Sequence, residues 1–224
     1  ISFSVDDITC LFDGDDGNSA NPCALDMQDV MANMRSIELP GGSSLPLDIK
    51  ASVAAGTARR LLAGNKNIQI IDALAGELLQ RVAEGEKVAA RGEVIVCAGV
   101  RENLGQRLLV SNGLTAESGQ TFSLVSGLTK PAEGRPWLDL PLQALDGEQL
   151  RSWLLPPVYE RLGSGQGEFL AELCPAVALF LRFGGIDYDR DERAGSKLGA
   201  YIRWVQGVLE RYGGSLLQLT MGDK

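Results

Sequence analysis

Residues 175–185 read PAVALFLRFGG, and residues 198–214 read LGAYIRWVQGVLERYGG. The first stretch is apolar from Val177 to Phe183 except for Arg182, the pattern of a strand covered on both faces. The second sets Leu198, Tyr201, Ile202, Val205, Val208, Leu209 and Tyr212 at i, i+3, i+4 spacing, which predicts a helix. Gly213-Gly214 supplies its stop. A charged turn, Asp187 to Arg193, separates the two. A further strand is expected from Leu216 to Met221, running into Gly222-Asp223-Lys224. Strand, helix and strand in this order point to an α/β class.

Upstream, residues 127–167 change character. Pro131, Pro136, Pro141, Pro156 and Pro157 punctuate them. They read as a linker with one helix, 147–155, resuming to Leu162. Gly163-Ser164-Gly165-Gln166-Gly167 follows no strand and misplaces the third glycine of a dinucleotide fingerprint, so it reads as a joint. The expected division is therefore 1–126, a linker 127–167 and 168–224.

Within the first segment, Ile1 to Phe12 reads strand, turn, strand, with Asp6 and Asp7 at the turn. A helix is expected over 22–35, with Leu25, Val30, Met31 and Met34 on its apolar face and its three methionines as core filler. Strands follow at 47–55, 57–63 and 68–71, a helix at 73–82, a short buried strand at 93–97, and an antiparallel pair at 108–111 and 121–125. The loop Asp13 to Asn18 lacks the sixth-position glycine and closing glutamate of a calcium loop, so it reads as a solvated acidic turn.

Composition narrows the chemistry. The 224 residues include no histidine, which excludes Ser-His-Asp and Cys-His nucleophile systems and HExxH zinc sites. The net charge of −8 speaks against nucleic-acid binding. No apolar run is long enough for a membrane span, and no basic n-region opens the chain. Cys10, Cys23, Cys97 and Cys174 form no CxxC and read as buried reduced thiols of a cytoplasmic protein. Gly-Lys never occurs, so there is no Walker A loop.

The run Pro175 to Gly185, the helix ending Glu210-Arg211-Tyr212-Gly213-Gly214, and the strand into Met221-Gly222-Asp223 together resemble a class III nucleotidyl cyclase domain. Phe3-Ser4-Val5-Asp6-Asp7-Ile8 is similar to the family's xxGDAxxA hairpin, with Val5 in place of the glycine. Ile49 to Gly56 resembles its strand-glycine element. Ile70 to Val82 resembles the strand leading into the Asn/Arg helix, and Glu93 to Cys97 the GEIxxS strand. The whole is most similar to the tandem region of soluble adenylyl cyclases and their bacterial relatives: the back part of one ferredoxin-like domain, a linker, and the front part of a second.

That resemblance implies conversion of ATP to cyclic AMP and pyrophosphate, with two Mg²⁺ or Mn²⁺ ions held by aspartates. It places Asp6 as a metal ligand of the first domain. The second aspartate of that pair would precede Ile1, and Asp7 stands where the family has a small residue. Gly76 and Gln80 fall where a complete domain carries its Asn and Arg. Arg182 replaces the strand aspartate of the second domain, and a cation there abolishes a metal site. Asp223 is kept at the second hairpin. Gln218 aligns with the lysine that reads adenine, and Ser2 with a lysine of the degenerate second pocket, where bicarbonate acts. The second domain's Asn/Arg pair would follow Lys224.

The expectation is a piece of a longer cyclase, inactive alone, whose two domains pair and whose sheet edges favour a homodimer or strand exchange. The competing expectation is a catalytically degenerate module that senses nucleotide or dimerises. Val5, Arg182 and Gln218 favour it.

Overall fold

In a computed structural model, the chain is described except for residues 1, 5–6, 35, 39–41, 132–133, 135–138, 140, 142–145, 166–174 and 222–224. The side chains of 2–4, 7, 37 and 46 are likewise undescribed. The elements run β1 (Ser2–Ser4), β2 (Asp7–Thr9), α1 (Ala20–Asn33), β3 (Ser36–Glu38), β4 (Ser44–Pro46), β5 (Ala51–Val53), β6 (Arg59–Asn65) and β7 (Gln69–Ala75). Then come α2 (Glu77–Val88), β8 (Val94–Cys97), α3 (Ala98–Leu104), a 3₁₀ turn at Gly105–Arg107, β9 (Leu108–Thr115) and β10 (Thr121–Leu128). The last are α4 (Gly147–Arg151), α5 (Pro156–Gly163) and α6 (Ala194–Arg211). The fold is mixed α/β, as expected.

Two compact units divide the chain. The first holds residues 1–58, 76–137 and 222–224; the second holds 59–75 and 138–221. In the first, four strands form a sheet in the order β5-β8-β10-β9. β5 runs parallel to β8, while β10 runs antiparallel to both β8 and β9. All four residues of β8, Val94 to Cys97, are buried. A continuous apolar run suits a strand with neighbours on both edges and cover on its faces.

Helix α2 lies over this sheet at Gly85. A side chain on Gly85 would collide with Ser52 Oγ and come within 2.8 Å of Phe122. Helix α1 starts with an unusual cap. Ser19 makes no side-chain capping bond; instead the Asp15 carboxylate accepts from the N–H groups of Gly17, Ser19 and Ala20. That carboxylate satisfies donors the helix start would leave orphaned.

The second unit packs α6 on the β6–β7 hairpin. Leu198, Ile202, Ala63 and Ala73 are buried between them. Gln206, 2% exposed, closes the end of the hairpin. Its Oε1 accepts from Asn65 N–H at 2.8 Å and its Nε2 donates to Gln69 C=O at 2.8 Å. Gly64 makes this turn possible: it sits at φ +121°, and a side chain there would collide with Gln69 O. At its far end α6 stops as Gly213-Gly214 predicts. Gly214 N–H donates to Leu209 O at 2.9 Å and Gly213 N–H to Glu210 O at 3.3 Å, a Schellman motif with Gly213 at φ +69°.

Several expectations change. The helix predicted at 73–82 begins at Glu77, because residues 73–75 complete β7. The methionines of α1 are not core filler: Met27 and Met34 are 46% and 54% exposed, Val30 is 56% exposed, and the helix buries Asn21 and Ala24 instead. Residues 175–183 carry no strand; Val177, Leu179, Phe180 and Leu181 are exposed. Residues 216–221 likewise pair with no strand. An apolar run specifies a strand only where a neighbouring strand supplies hydrogen-bond partners. Of the thiols, Cys97 is buried, Cys23 is half-buried and Cys10 is exposed; Cys174 lies outside the described residues. No helix among the described residues is long and apolar enough to cross a membrane.

Replacing Gln206 with Leu should leave Asn65 N–H and Gln69 C=O without partners. At about 1–3 kcal/mol per orphaned group, urea unfolding should show the second unit losing at least that much stability. Asp191, just before α6, is held below the ordinary carboxylate value of 3.8 by its hydrogen bond to Lys197 Nζ, then by the Arg193 N–H. A depressed carboxylate contributes stability that is complete above about 3.8 and is lost as pH falls through the lower folded value. Asp191→Asn should flatten the acid limb of the second unit's thermal-unfolding profile below about pH 4.

Candidate functional site

The β1–β2 pair forms as the hairpin reading expects, with Ser4 opposite Asp7, Phe3 opposite Ile8 and Ser2 opposite Thr9. Asp6 and Val5 lie outside the described residues, as does Asp223, and the side chains of Ser2 and Asp7 are undescribed. Asp6 as a metal ligand therefore rests on its place in the sequence.

Gly76 marks the change from strand to helix. It sits at φ +123° and takes the N-cap position of α2, where its missing side chain lets the chain turn sharply. Gln80 follows one turn later and faces solvent. The functional group on this helix that sequence reading passed over is the next residue. Arg81 Nη1 donates to Ala55 O at 3.2 Å, and Nη2 pairs with Glu77 Oε1 at 2.9 Å. Its only sequence signal is the i, i+4 spacing from Glu77.

Arg81 lines a cleft of about 280 Å³ with Cys97, Ala98, Gly99, Gly119, Gln120 and Thr121. The cleft is bounded by α2, by the β8–α3 junction and by the turn joining β9 to β10. Arg81, Gln120 and Thr121 are the polar residues among those lining it, and the Arg81 guanidinium is engaged by Ala55 O and Glu77.

In the second unit, Arg182 and Gln218 are both exposed. Their chain neighbours fix them. Phe183 lies with its ring centroid 4.7 Å from that of Tyr201, and both Phe183 and Leu219 pack against the cluster of Ala63, Ala73, Leu198 and Ile202. One core thus positions the two segments that carry Arg182 and Gln218. Burial pushes the Tyr188 hydroxyl up from its usual range. Cys23 is also raised, by burial first and then by Cys10 and Asp26, which makes it a poor nucleophile.

No group of three or more Cys, Asp or Glu converges anywhere among the described residues. Arg182, where the resemblance calls for a second-domain aspartate, adds a positive charge rather than an oxygen ligand.

No protein-family model matches the chain, nor does any curated protein. Several solved chains are similar to part of it, among them two guanylyl cyclase domains. One is the guanylate cyclase domain of RhGC from Catenaria anguillulae in complex with GTP, at 13% identity and a TM-score of 0.40, covering 49% of this chain and 59% of that one. The other is the dimeric guanylyl cyclase domain of the RhoGC fusion protein from the aquatic fungus Blastocladiella emersonii, at 14% identity and a TM-score of 0.38, covering 49% and 60%. The chain thus spans about three fifths of the structures it matches. Likeness at this level leaves the family of this chain to be argued from its own residues.

Arg81→Met should free Ala55 O and Glu77 and cost about 0.5–1.5 kcal/mol in urea unfolding, since the ion pair is partly exposed. Gln80→Ala, one residue away and solvent-facing, should stay within about 0.5 kcal/mol of the parent.

Proposed function

We propose that the chain is a class III nucleotidyl cyclase region of the adenylyl type, serving the conversion of ATP to cyclic AMP and pyrophosphate. In this reading 1–126 is the back of one cyclase domain, 127–167 a linker and 168–224 the front of a second. The observation that carries it is the order of elements in the first unit. A hairpin at 2–9 is followed by a helix, then by β5, and then by α2, which leads into a β8 lying parallel to β5. The cyclase resemblance asks for elements at residues 3–8, 49–56 and 93–97, and for a strand leading into a helix at 70–82, where β7 falls in the second unit and α2 in the first.

The chemistry assigned to named groups is limited by their kind. Gln218 can both donate to and accept from a purine edge, so it suits adenine without rejecting guanine strongly. Arg182 suits the phosphates of a bound nucleotide, as a cation that needs no metal bridge. Asp6 supplies one carboxylate toward the Mg²⁺ or Mn²⁺ pair that the reaction uses in the family. One carboxylate does not make a two-ion site, and the described residues add no cluster to complete it. The chain by itself is therefore assigned nucleotide binding without turnover.

A second reading is supported by Arg182. With a cation at a metal-ligand position, the chain serves as a catalytically degenerate module that binds nucleotide or pairs with another domain. Cyclic AMP formation by the purified chain, with ATP and Mn²⁺, tests the absence of turnover that both readings share, and nucleotide binding tests the cyclase reading. The expected result is ATP binding by equilibrium dialysis, with no preference over GTP beyond about tenfold, or about 1.4 kcal/mol, and no cyclic nucleotide. Robust turnover would overturn the assignment of binding without catalysis. Absence of binding to either nucleotide would overturn the cyclase reading itself.

A further inference from the structure

Helix α1 presents an apolar stripe on the side away from its own core. Its inner side holds the buried Asn21 and Ala24 and lies against β5 and β8. Gln28 fixes that side, its Nε2 donating to Ile49 O at 2.9 Å and to Glu93 O at 3.3 Å. The opposite side carries Cys23, Met27, Val30 and, at the C-cap, Met34. Their successive spacings keep all four within about 60° of arc at 3.6 residues per turn. Met27, Val30 and Met34 are exposed, and Cys23 is half-buried. A surface helix ordinarily points such a stripe at its core and its polar residues at water. Here two amides face inward and two methionines face out.

The stripe advances by four, three and four residues, the spacing of a seam between two packed helices. It therefore fits a helix better than a strand or a flat surface. Methionine suits such a seam, because its unbranched, polarisable side chain adapts to the shape it meets. Charge then selects the helix. Asp26 and Asp29 are exposed along one flank of the stripe, and Asp13, Asp16 and Glu38 are exposed in the segments before and after α1. Residues 1–49 hold nine acidic side chains and one basic one, Arg35. A second copy of the chain would set these acids against their own kind. An anionic bilayer surface would meet the same repulsion.

We propose that the outer face of α1 is a docking surface for a basic amphipathic helix of another protein. That helix supplies apolar side chains to the stripe of Met27, Val30 and Met34, and Lys or Arg to the flank of Asp26 and Asp29. The surface needs neither nucleotide nor turnover, so it stands apart from the cyclase reading.

The probe is a synthetic helical peptide of about 18 residues, with leucines at the seam spacing and lysines beside them. Its counterpart carries glutamate in place of lysine. On the parent chain, dilute hydrogen peroxide converts accessible methionines to sulfoxides, which mass spectrometry locates. Bound lysine peptide should slow oxidation of Met27 and Met34 severalfold and leave Met221, in the second unit, unchanged. By fluorescence anisotropy, Met27→Ser with Met34→Ser should weaken the lysine peptide at least about tenfold, and Asp26→Lys with Asp29→Lys should do the same. Leu109→Ser, which alters an exposed leucine of β9, should leave its affinity unchanged. The oxidation arm uses the unaltered chain, so it decides the matter if the variants fail to fold. Equal binding of the glutamate peptide, equal protection of Met221, or an affinity indifferent to the stripe would overturn the proposal. So would capture by phosphatidylserine vesicles in place of the peptide, or a homodimer that the two serine substitutions dissolve.

Discussion

The second unit depends on one contact, the seating of α6 on the β6–β7 hairpin. Neither partner is self-sufficient. A lone two-stranded hairpin is marginal in water, and an isolated helix of this length gains most of its stability from packing. Small residues let the two approach. Ala63 and Ala73 on the hairpin are 2% and 3% exposed, and Gly195 on α6 lets Leu61 close on the helix backbone. Close approach then brings Gln206 within reach of the hairpin's last open donor and acceptor. The polar bridge and the apolar stripe require the same geometry, so each specifies the other. The extended segments that carry Arg182 and Gln218 hang on this core through Phe183 and Leu219.

What the sequence disclosed follows the strength of local signals. Helix α6 was legible throughout, because a long i, i+3, i+4 stripe ends in two glycines and each feature has a local physical cause. The buried strand at 93–97 was legible too, since four apolar residues between turn signals admit few alternatives. The failures share a different cause. Residues 73–75 carry apolar spacing that fits either a strand or a helix, and the Gly76 backbone settles the boundary. Only tertiary structure shows its φ of +123°. Helix α3 has no side-chain cap and opens with Ala98-Gly99, so it announces itself nowhere. The run at 177–183 has every local property of a covered strand and pairs with no strand among the described residues, because pairing is a property of two segments and sequence shows only one.

The candidate site was legible as positions but not as geometry. The hairpin at 2–9 pairs as its alternation suggests. Arg81 was invisible because its value lies in what it touches. Its guanidinium spans a backbone carbonyl from the loop after β5 and a carboxylate one turn back on its own helix. Those partners are 26 and 4 residues away, and only the second separation leaves a trace in spacing.

Arg182 decides more than its exposure suggests. Two-ion phosphoryl chemistry needs carboxylate oxygens close enough to share divalent charge, and a guanidinium at a ligand position repels those ions. The same group favours a polyphosphate, whose oxygens it can meet in pairs. In the proposed reading, this exchange of sign would separate two properties that carboxylate ligands normally bind together: affinity for the nucleotide and affinity for the metal. Some of the chain's acid is spent on architecture: Asp15 caps α1, Glu77 holds Arg81, and Asp191 holds Lys197. Other carboxylates stay exposed, Asp13, Asp16, Glu102 and Glu117 among them, within a net charge of −8. In the proposed reading Arg182 would therefore hold a phosphate locally, against the sign of the chain's overall field.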